Sequence, residues 1–170
     1  MASNLFKSCT KLKLDAHAQC LSSVLEKRPP SLCYTLYMKQ HPYHSIITRY
    51  FEAWSTGNLA MFDELLAPEY INHTPSLPDH PGVEGLKYIV SAIRKGFPDL
   101  HYEIVHIAAQ GELVAVQTYM IGTNTGELFG QPATGKSIRV PQMQFERIKD
   151  GKIVEHWRIT DDTTLQQQLA

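Results

Sequence analysis

The stretch Ser137–Asp161, SIRVPQMQFERIKDGKIVEHWRITD, decides how the rest of the chain is read. Apolar and polar residues alternate on both sides of Asp150-Gly151, a dipeptide that favours a two-residue hairpin turn. Two strands follow, Ser137 to Lys149 and Lys152 to Thr160. With a two-residue turn Lys149 pairs with Lys152, so Gln144 faces Trp157, Gln142 faces Ile159 and Val140 faces Asp161. Cross-strand partners share a face. Trp157 and Ile159 are the natural inward residues, which carries Val140, Gln142, Gln144 and Asp161 with them. Lys152, Val154, His156 and Arg158 then fall on the opposite face. Two glutamines and an aspartate make a poor sealed core, because each buried polar group needs a partner, but they suit the wall of a pocket.

Upstream of this hairpin the same two-residue period predicts strands over Leu100 to Ala109 and Glu112 to Thr123. In the second of these, Leu113, Ala115, Gln117, Tyr119 and Ile121 are favoured as inward over Val114, Val116, Thr118 and Met120. Before Pro98 the period is helical. Ile46, Ile47, Tyr50, Phe51 and Trp54 form one apolar face, closed by Gly57. Asn58 can cap a second short helix, with Leu59, Phe62, Leu65 and Leu66 on one side until Pro68. Leu86, Ile89, Val90, Ile93 and Phe97 define a third helix. Tyr70 to His73 reads as a short extended piece, and Thr74 to Gly82, with three prolines, as a loop. Thr163 with Gln166 resembles a capping box that opens a short terminal helix. Helices followed by an antiparallel meander indicate an α+β fold, with helices on one face of a curved sheet.

The 170 residues, 43% of them apolar, suffice for one core. Residues 1–40 read as an extension, partly helical over Leu14 to Arg28 or disordered, and 41–170 as the folded domain. The extension carries six Lys/Arg against two Asp/Glu, leaving ten basic against fifteen acidic residues beyond Gln40. That body lacks the basic face of a nucleic-acid binder. No run is apolar enough to span a membrane. Cys9, Cys20 and Cys33 all precede position 40 and match neither a zinc motif nor a redox pair, which leans toward a cytoplasmic setting. The basic, acid-free Met1 to Lys13 leaves organellar targeting open. The scattered histidines offer no metal site, and no Gly-x-Ser-x-Gly, Gly-x-Gly-x-x-Gly or Walker series is present.

Gly85-Leu86-Lys87, Phe97-Pro98-Asp99-Leu100, Gly122-Thr123, Thr125-Gly126-Glu127, Thr134-Gly135-Lys136, Asp150 to Trp157 and Asp161, in that order, resemble the SnoaL-like polyketide cyclases of the nuclear transport factor 2-like superfold. The resemblance covers roughly residues 42 to 169. It implies a cone of three helices on a curved, mainly antiparallel sheet around an internal pocket, and ring closure by an intramolecular aldol reaction that uses an acidic side chain and no metal or cofactor. The superfold also holds isomerases, epoxide hydrolases and non-catalytic binding modules, so fold does not settle activity. Gln117 and Tyr119 stand where the resemblance places an arginine and an acid in limonene epoxide hydrolases, which argues against epoxide opening. Asn124 stands where many members carry histidine.

Asp161, four residues after Trp157 as in the family, is the expected general acid/base, its pKa raised by burial beside Trp157 and Tyr119. His73 is the second catalytic candidate. Tyr50, Trp54, Gln117, Tyr119, Gln142, Gln144 and Trp157 are the expected substrate-binding residues, with Phe129 on a lip over the cavity. Blander readings stand beside these: Asp161 as a helix-start residue, His73 as a surface histidine, and the aromatics as core. The expected function is a cofactor-independent cyclase or isomerase of a small, apolar, carbonyl-rich metabolite. The alternative is a non-catalytic module of the same superfold that binds a small ligand or a protein. A homodimer is expected because the outer sheet face, read as carrying Val114, Val116 and Met120, needs covering.

Overall fold

The computed structural model describes residues 42–74 and 80–170. The expected helix at Leu14 to Arg28 lies outside them, as does most of the Thr74 to Gly82 loop. The apolar stripe at Ile47, Tyr50, Phe51 and Trp54 forms α1 (Pro42–Thr56), which buries all four side chains. Gly57 ends it at φ +73°, a left-handed conformation that lets its N–H reach the Ala53 carbonyl at 2.9 Å. Helix α2 (Ala60–Leu65) follows with no side-chain cap, so Asn58 does not serve as one. The third stripe forms α3 (Gly82–Gly96).

Helix α2 stops sooner than its apolar pattern predicts. Leu66 is extended and pairs with Ile153, so β1 spans Leu66–Asn72 rather than beginning at Tyr70. Sheet pairing at Leu66 overrides a helical pattern that is only one more residue long. The remaining strands are β2 (His101–Gln110), β3 (Leu113–Thr123), β4 (Ser137–Lys149) and β5 (Lys152–Thr160), and α4 (Asp162–Leu169) closes the chain. Among the described residues the sheet order is β1-β5-β4-β3-β2, with β1 parallel to β5 and the other neighbours antiparallel.

The Asp150-Gly151 turn forms as read, with φ of 50° and 78° and Lys149 opposite Lys152. The pairing then slips. Ile148 faces Ile153, but Arg147 faces Glu155, so β5 carries one residue more than β4 at Val154. A bulge of one residue turns over every side chain beyond it. Gln144 therefore faces Arg158, Gln142 faces Thr160, Phe145 faces Trp157 and Met143 faces Ile159. The expected inward residues Trp157 and Ile159 lie on the outer face, Ile159 being 74% exposed, while His156 is buried.

The facing of β3 is also the reverse of the expectation. Val114, Val116, Thr118 and Met120 are buried, and Leu113, Ala115, Gln117, Tyr119 and Ile121 alternate away from them. Both faces of this strand are largely apolar, so its own pattern could not choose. The choice comes from β4, whose inward Gln144, Gln142 and Val140 stand opposite Val116, Thr118 and Met120.

Arg94 joins the helical layer to the sheet. Its Nη1 donates to the carbonyls of Ser55, Leu100 at 3.1 Å and Trp54 at 3.3 Å, and Nη2 donates to that of Pro98 at 3.0 Å. Trp54 and Ser55 lie in the last turn of α1, whose carbonyls have no helical partner. Ser55 adds a second tie, its Oγ accepting the Tyr102 N–H of β2 at 3.1 Å. Replacing Arg94 by Ala should lower unfolding stability by about 2–3 kcal/mol, the range for losing charged hydrogen bonds to partly buried carbonyls, read by urea denaturation.

Candidate active site

With the bulge in place, the inward face of β4 and β5 is polar. Three cross-strand pairs, Glu146–His156, Gln144–Arg158 and Gln142–Thr160, run along it. Glu146 is fully buried and His156 is 2% exposed, and Glu146 Oε1 lies 2.7 Å from His156 Nδ1. Glu146 Oε2 has no hydrogen-bonding partner, nor do the buried hydroxyls of Tyr50 on α1 and Tyr70 on β1. The Tyr50 ring lies 6.4 Å from that of His156, centroid to centroid, and edge-on to Phe51 and Phe62.

Next to this group the amides form a chain. Gln144 Nε2 donates to Gln142 Oε1 at 3.1 Å and to Thr118 Oγ1 at 3.4 Å, and Gln142 Nε2 donates to Thr160 Oγ1 at 3.1 Å. These bonds hold the two glutamines in register on the inner side of the sheet.

Burial raises the pKa of the Glu146 carboxyl, while the His156 pairing and the Arg158 charge pull the other way. Burial also pushes the Tyr50 and Tyr70 phenols up, with the nearby Glu146 charge adding to both, and it pushes Tyr102 up to about 12. All three phenols therefore keep their protons at neutral pH. A buried carboxyl with one free oxygen and an imidazole on its other oxygen can take a proton from carbon and return it to oxygen.

Asp161 is not part of this group. It is exposed at the end of β5 and caps α4, its Oδ1 accepting the Thr164 N–H at 2.9 Å and its Oδ2 the Thr164 hydroxyl at 2.7 Å. These bonds hold its carboxyl below the usual aspartate range, opposite to the expected shift. The cap is Asp161 rather than Thr163. His73 also lies elsewhere. Its Nε2 sits 2.8 Å from Glu155 Oε2, its ring stacks on Trp157 at 4.4 Å, and Arg147 Nε reaches the other Glu155 oxygen at 2.7 Å.

Among the residues expected to bind substrate, Tyr50, Trp54, Gln142 and Gln144 are buried on the inner side, Trp54 packing against Phe62 and Tyr102. Gln117, Tyr119 and Trp157 lie on the outer face. The Arg139 guanidinium covers Tyr119 at 3.6 Å, so that ring is not a pocket wall. Phe129 sits at the tip of a tight turn at φ +48°, 54% exposed, in a surface groove with Tyr88, Ser91 and Lys95 of α3. No lip over the inner residues results. Asn124 is a structural residue: its Nδ2 donates to the Gly96 and Gly126 carbonyls at 3.1 and 2.9 Å, and its Oδ1 accepts the Thr134 N–H at 2.8 Å. A Cβ at Gly126 would lie 1.9 Å from the Lys95 carbonyl oxygen, so this junction also requires glycine.

The sequence reading missed Glu146, His156, Tyr70 and Arg158. Glu146 was within reach of it, since it lies two residues beyond Gln144 on the same face. Among the described residues no cluster of three or more His, Cys, Asp or Glu side chains is placed to hold a metal ion, and no helix is long and apolar enough to cross a membrane.

Comparison with known proteins agrees with this architecture. The model of the SnoaL-like polyketide cyclase family matches residues 44–169. The chain belongs to this family. It is 31% identical over 121 residues to an aklanonic acid methyl ester cyclase of Streptomyces sp. strain C5, covering 68% of this chain and 73% of the relative. The nogalonic acid methyl ester cyclase of Streptomyces nogalater is 31% identical over 106 residues, covering 61% and 79%. Among solved structures, IdmH of Streptomyces antibioticus, described as a putative polyketide cyclase, superposes with a TM-score of 0.68 at 32% identity, over 76% of this chain and 99% of its own. TsrD of Streptomyces laurentii, at 23% identity and a TM-score of 0.70 over 77% and 96%, shares the fold.

The two carboxyls should titrate in opposite directions. Glu146, raised in the folded state, contributes stability that is present below the ordinary glutamate range and lost as pH rises through its folded pKa. Asp161, lowered, contributes stability present above the ordinary aspartate range and lost as pH falls through its folded pKa. Carboxyl-carbon NMR titration, assigned with Glu146→Gln and Asp161→Asn, should therefore show Glu146 above and Asp161 below their unfolded values. Asp161→Ala should also speed hydrogen exchange at the Thr164 amide.

Proposed function

We propose that the chain is a cofactor-independent cyclase or isomerase of a small carbonyl-rich metabolite, with Glu146 rather than Asp161 as the general acid/base. The observation that carries this reading is the fully buried Glu146 carboxyl, held on one oxygen by His156 and unpartnered on the other. In an aldol closure Oε2 takes the proton from the carbon next to a carbonyl, and the enolate carbon attacks a second carbonyl of the same molecule. The alkoxide then recovers the proton from the carboxyl. One C–C bond forms and the mass is unchanged. The His156 contact orients the carboxyl, and burial raises its pKa, which makes it a stronger base than a solvated carboxylate.

Aklanonic acid methyl ester, the compound in the names of two relatives, is the first substrate to try. Its conversion to a product of equal mass should fall about 10²- to 10⁴-fold in Glu146→Gln and stay near wild type in Asp161→Asn. In the wild type the rate should rise with pH through the raised Glu146 value, in a setting that also holds His156, Arg158, Tyr50 and Tyr70. Equal rates in wild type and Glu146→Gln would remove Glu146 from the chemistry.

The second reading, a binding module, is favoured by the placement of both expected catalytic residues, Asp161 and His73, away from the inner group. A ligand recovered unchanged after prolonged incubation, with no related compound turned over, would select it. A cytoplasmic setting fits a body without cysteine in either case.

We also infer a homodimer. The face that needs covering carries Met143, Phe145 and Ile159, exposed by 52%, 45% and 74%, in place of the expected Val114, Val116 and Met120, which point inward. Light scattering should return twice the chain mass. The double variant Met143→Lys, Ile159→Lys should return one.

A further inference from the structure

The bulge at Val154 has to be selected against a simpler hairpin. Strictly alternating pairing from the same Asp150-Gly151 turn would bury Trp157 and Ile159 and leave no residue unpaired, so apolar burial and the hydrogen-bond ladder both favour it over the register found. The neighbouring strand does not enforce the bulge. The β1–β5 ladder is itself interrupted opposite Val154, between the pairs Leu66–Ile153 and Ile71–Glu155. What separates the two registers is charge. Strict alternation would set Glu155 directly opposite Glu146 on the inner face, where Glu146 is fully buried, and would part Glu155 from Arg147. Like charges opposed across a strand pair repel, and more strongly where water is excluded. The bulge exchanges these neighbours. Glu146 gains His156 at 2.7 Å, and Glu155 turns outward onto Arg147 Nε at 2.7 Å and His73 Nε2 at 2.8 Å. The same two partners cover the Trp157 ring that the bulge expels, His73 stacking on it at 4.4 Å and the Arg147 guanidinium lying 5.9 Å from its centroid.

We propose that Glu155 is a positioning residue whose charge selects the bulged register and so brings His156 to Glu146. It acts twice, drawn outward by Arg147 and kept from the inner face by Glu146. His156 contributes on the inner side, but a buried pair returns little beyond its own desolvation. The other exchanges in β5, at Trp157, Arg158 and Ile159, all run against the bulge, because they put apolar residues out and a guanidinium in. The inference concerns how the inner pair is assembled, and it stands on register alone, whether or not that pair carries out the proposed chemistry.

NMR of the full-length chain reads the register directly. In the wild type, cross-strand contacts should join Phe145 to Trp157 and Arg147 to Glu155. In Glu155→Lys the new ammonium is repelled by Arg147 and attracted by Glu146. The native contacts should there give way to contacts of Gln144 with Trp157 and of Gln142 with Ile159, and tryptophan emission should move to shorter wavelength as Trp157 turns inward. Should that variant not fold, Glu155→Leu decides. It removes the repulsion and offers an apolar inner residue, and should shift the ratio of the two registers the same way by about tenfold or more. Deleting Val154 in the Glu155→Leu chain should restore the Phe145–Trp157 contact, because strict alternation then gives the native facing. An ion pair that only adds stability would lower the melting temperature and leave the register alone. The Phe145–Trp157 contact kept unchanged in either folded variant, loss of fold in both, or failure of the Val154 deletion to restore that contact would overturn the proposal.

Discussion

One extra residue in β5, Val154, governs which side chains meet the helices, and the inner site depends on it. Without the bulge, strict alternation from Ile153 would bring Glu155, Trp157 and Ile159 inward and turn His156 and Arg158 out. With it, His156 comes to lie 2.7 Å from Glu146, and Gln144 and Gln142 stand opposite Arg158 and Thr160. The bulge also frees Glu155 to bridge His73 and Arg147 on the outer face. Two clusters of ionisable groups, one sealed and one solvated, therefore arise from a single slip in register.

The result inverts the usual division of a sheet. On the last hairpin the bulky apolar residues Phe145, Trp157 and Ile159 lie outside, while a carboxylate, an imidazole and two amides lie inside. Such an inversion costs stability on both sides, through desolvated polar groups within and uncovered apolar surface without. It is intelligible if the inner groups have a ligand to meet and the outer ones a partner chain. The protein satisfies part of the inner demand itself, through the Glu146–His156 pair and the chain from Thr118 through the glutamines to Thr160. Three buried atoms, Glu146 Oε2 and the Tyr50 and Tyr70 hydroxyls, are left without partners.

The helical layer supplies the other side of the group. Helix α1 presents Tyr50 from the stripe that also anchors the core through Ile47, Phe51 and Trp54, so its buried hydroxyl sits on a ring already required for packing. Arg94 holds the last turn of α1 against the start of β2, which sets the position of Tyr50 relative to the sheet. Rigid support of this kind is what a buried acid/base group needs, since its geometry must exist before the ligand arrives.

Element order, the two long helices, the strands β2 to β5 and the Asp150-Gly151 turn were legible in the chain, because each depends on contacts within a few residues. The family was legible as well, from an ordered series of short motifs. The inward facing of Gln142 and Gln144 could be read, and Glu146 lay one step further along the same alternation. The facing of β3 could not, because both its sides are apolar and its partners on β4 decide. Nor could the early end of α2, which pairing of Leu66 with β5 imposes from more than eighty residues away in sequence. Least accessible was the facing of His156, Trp157 and Asp161. A one-residue bulge leaves composition and period almost unaltered, yet it exchanges the two faces of a strand, and only the packed sheet reveals which face meets the helices.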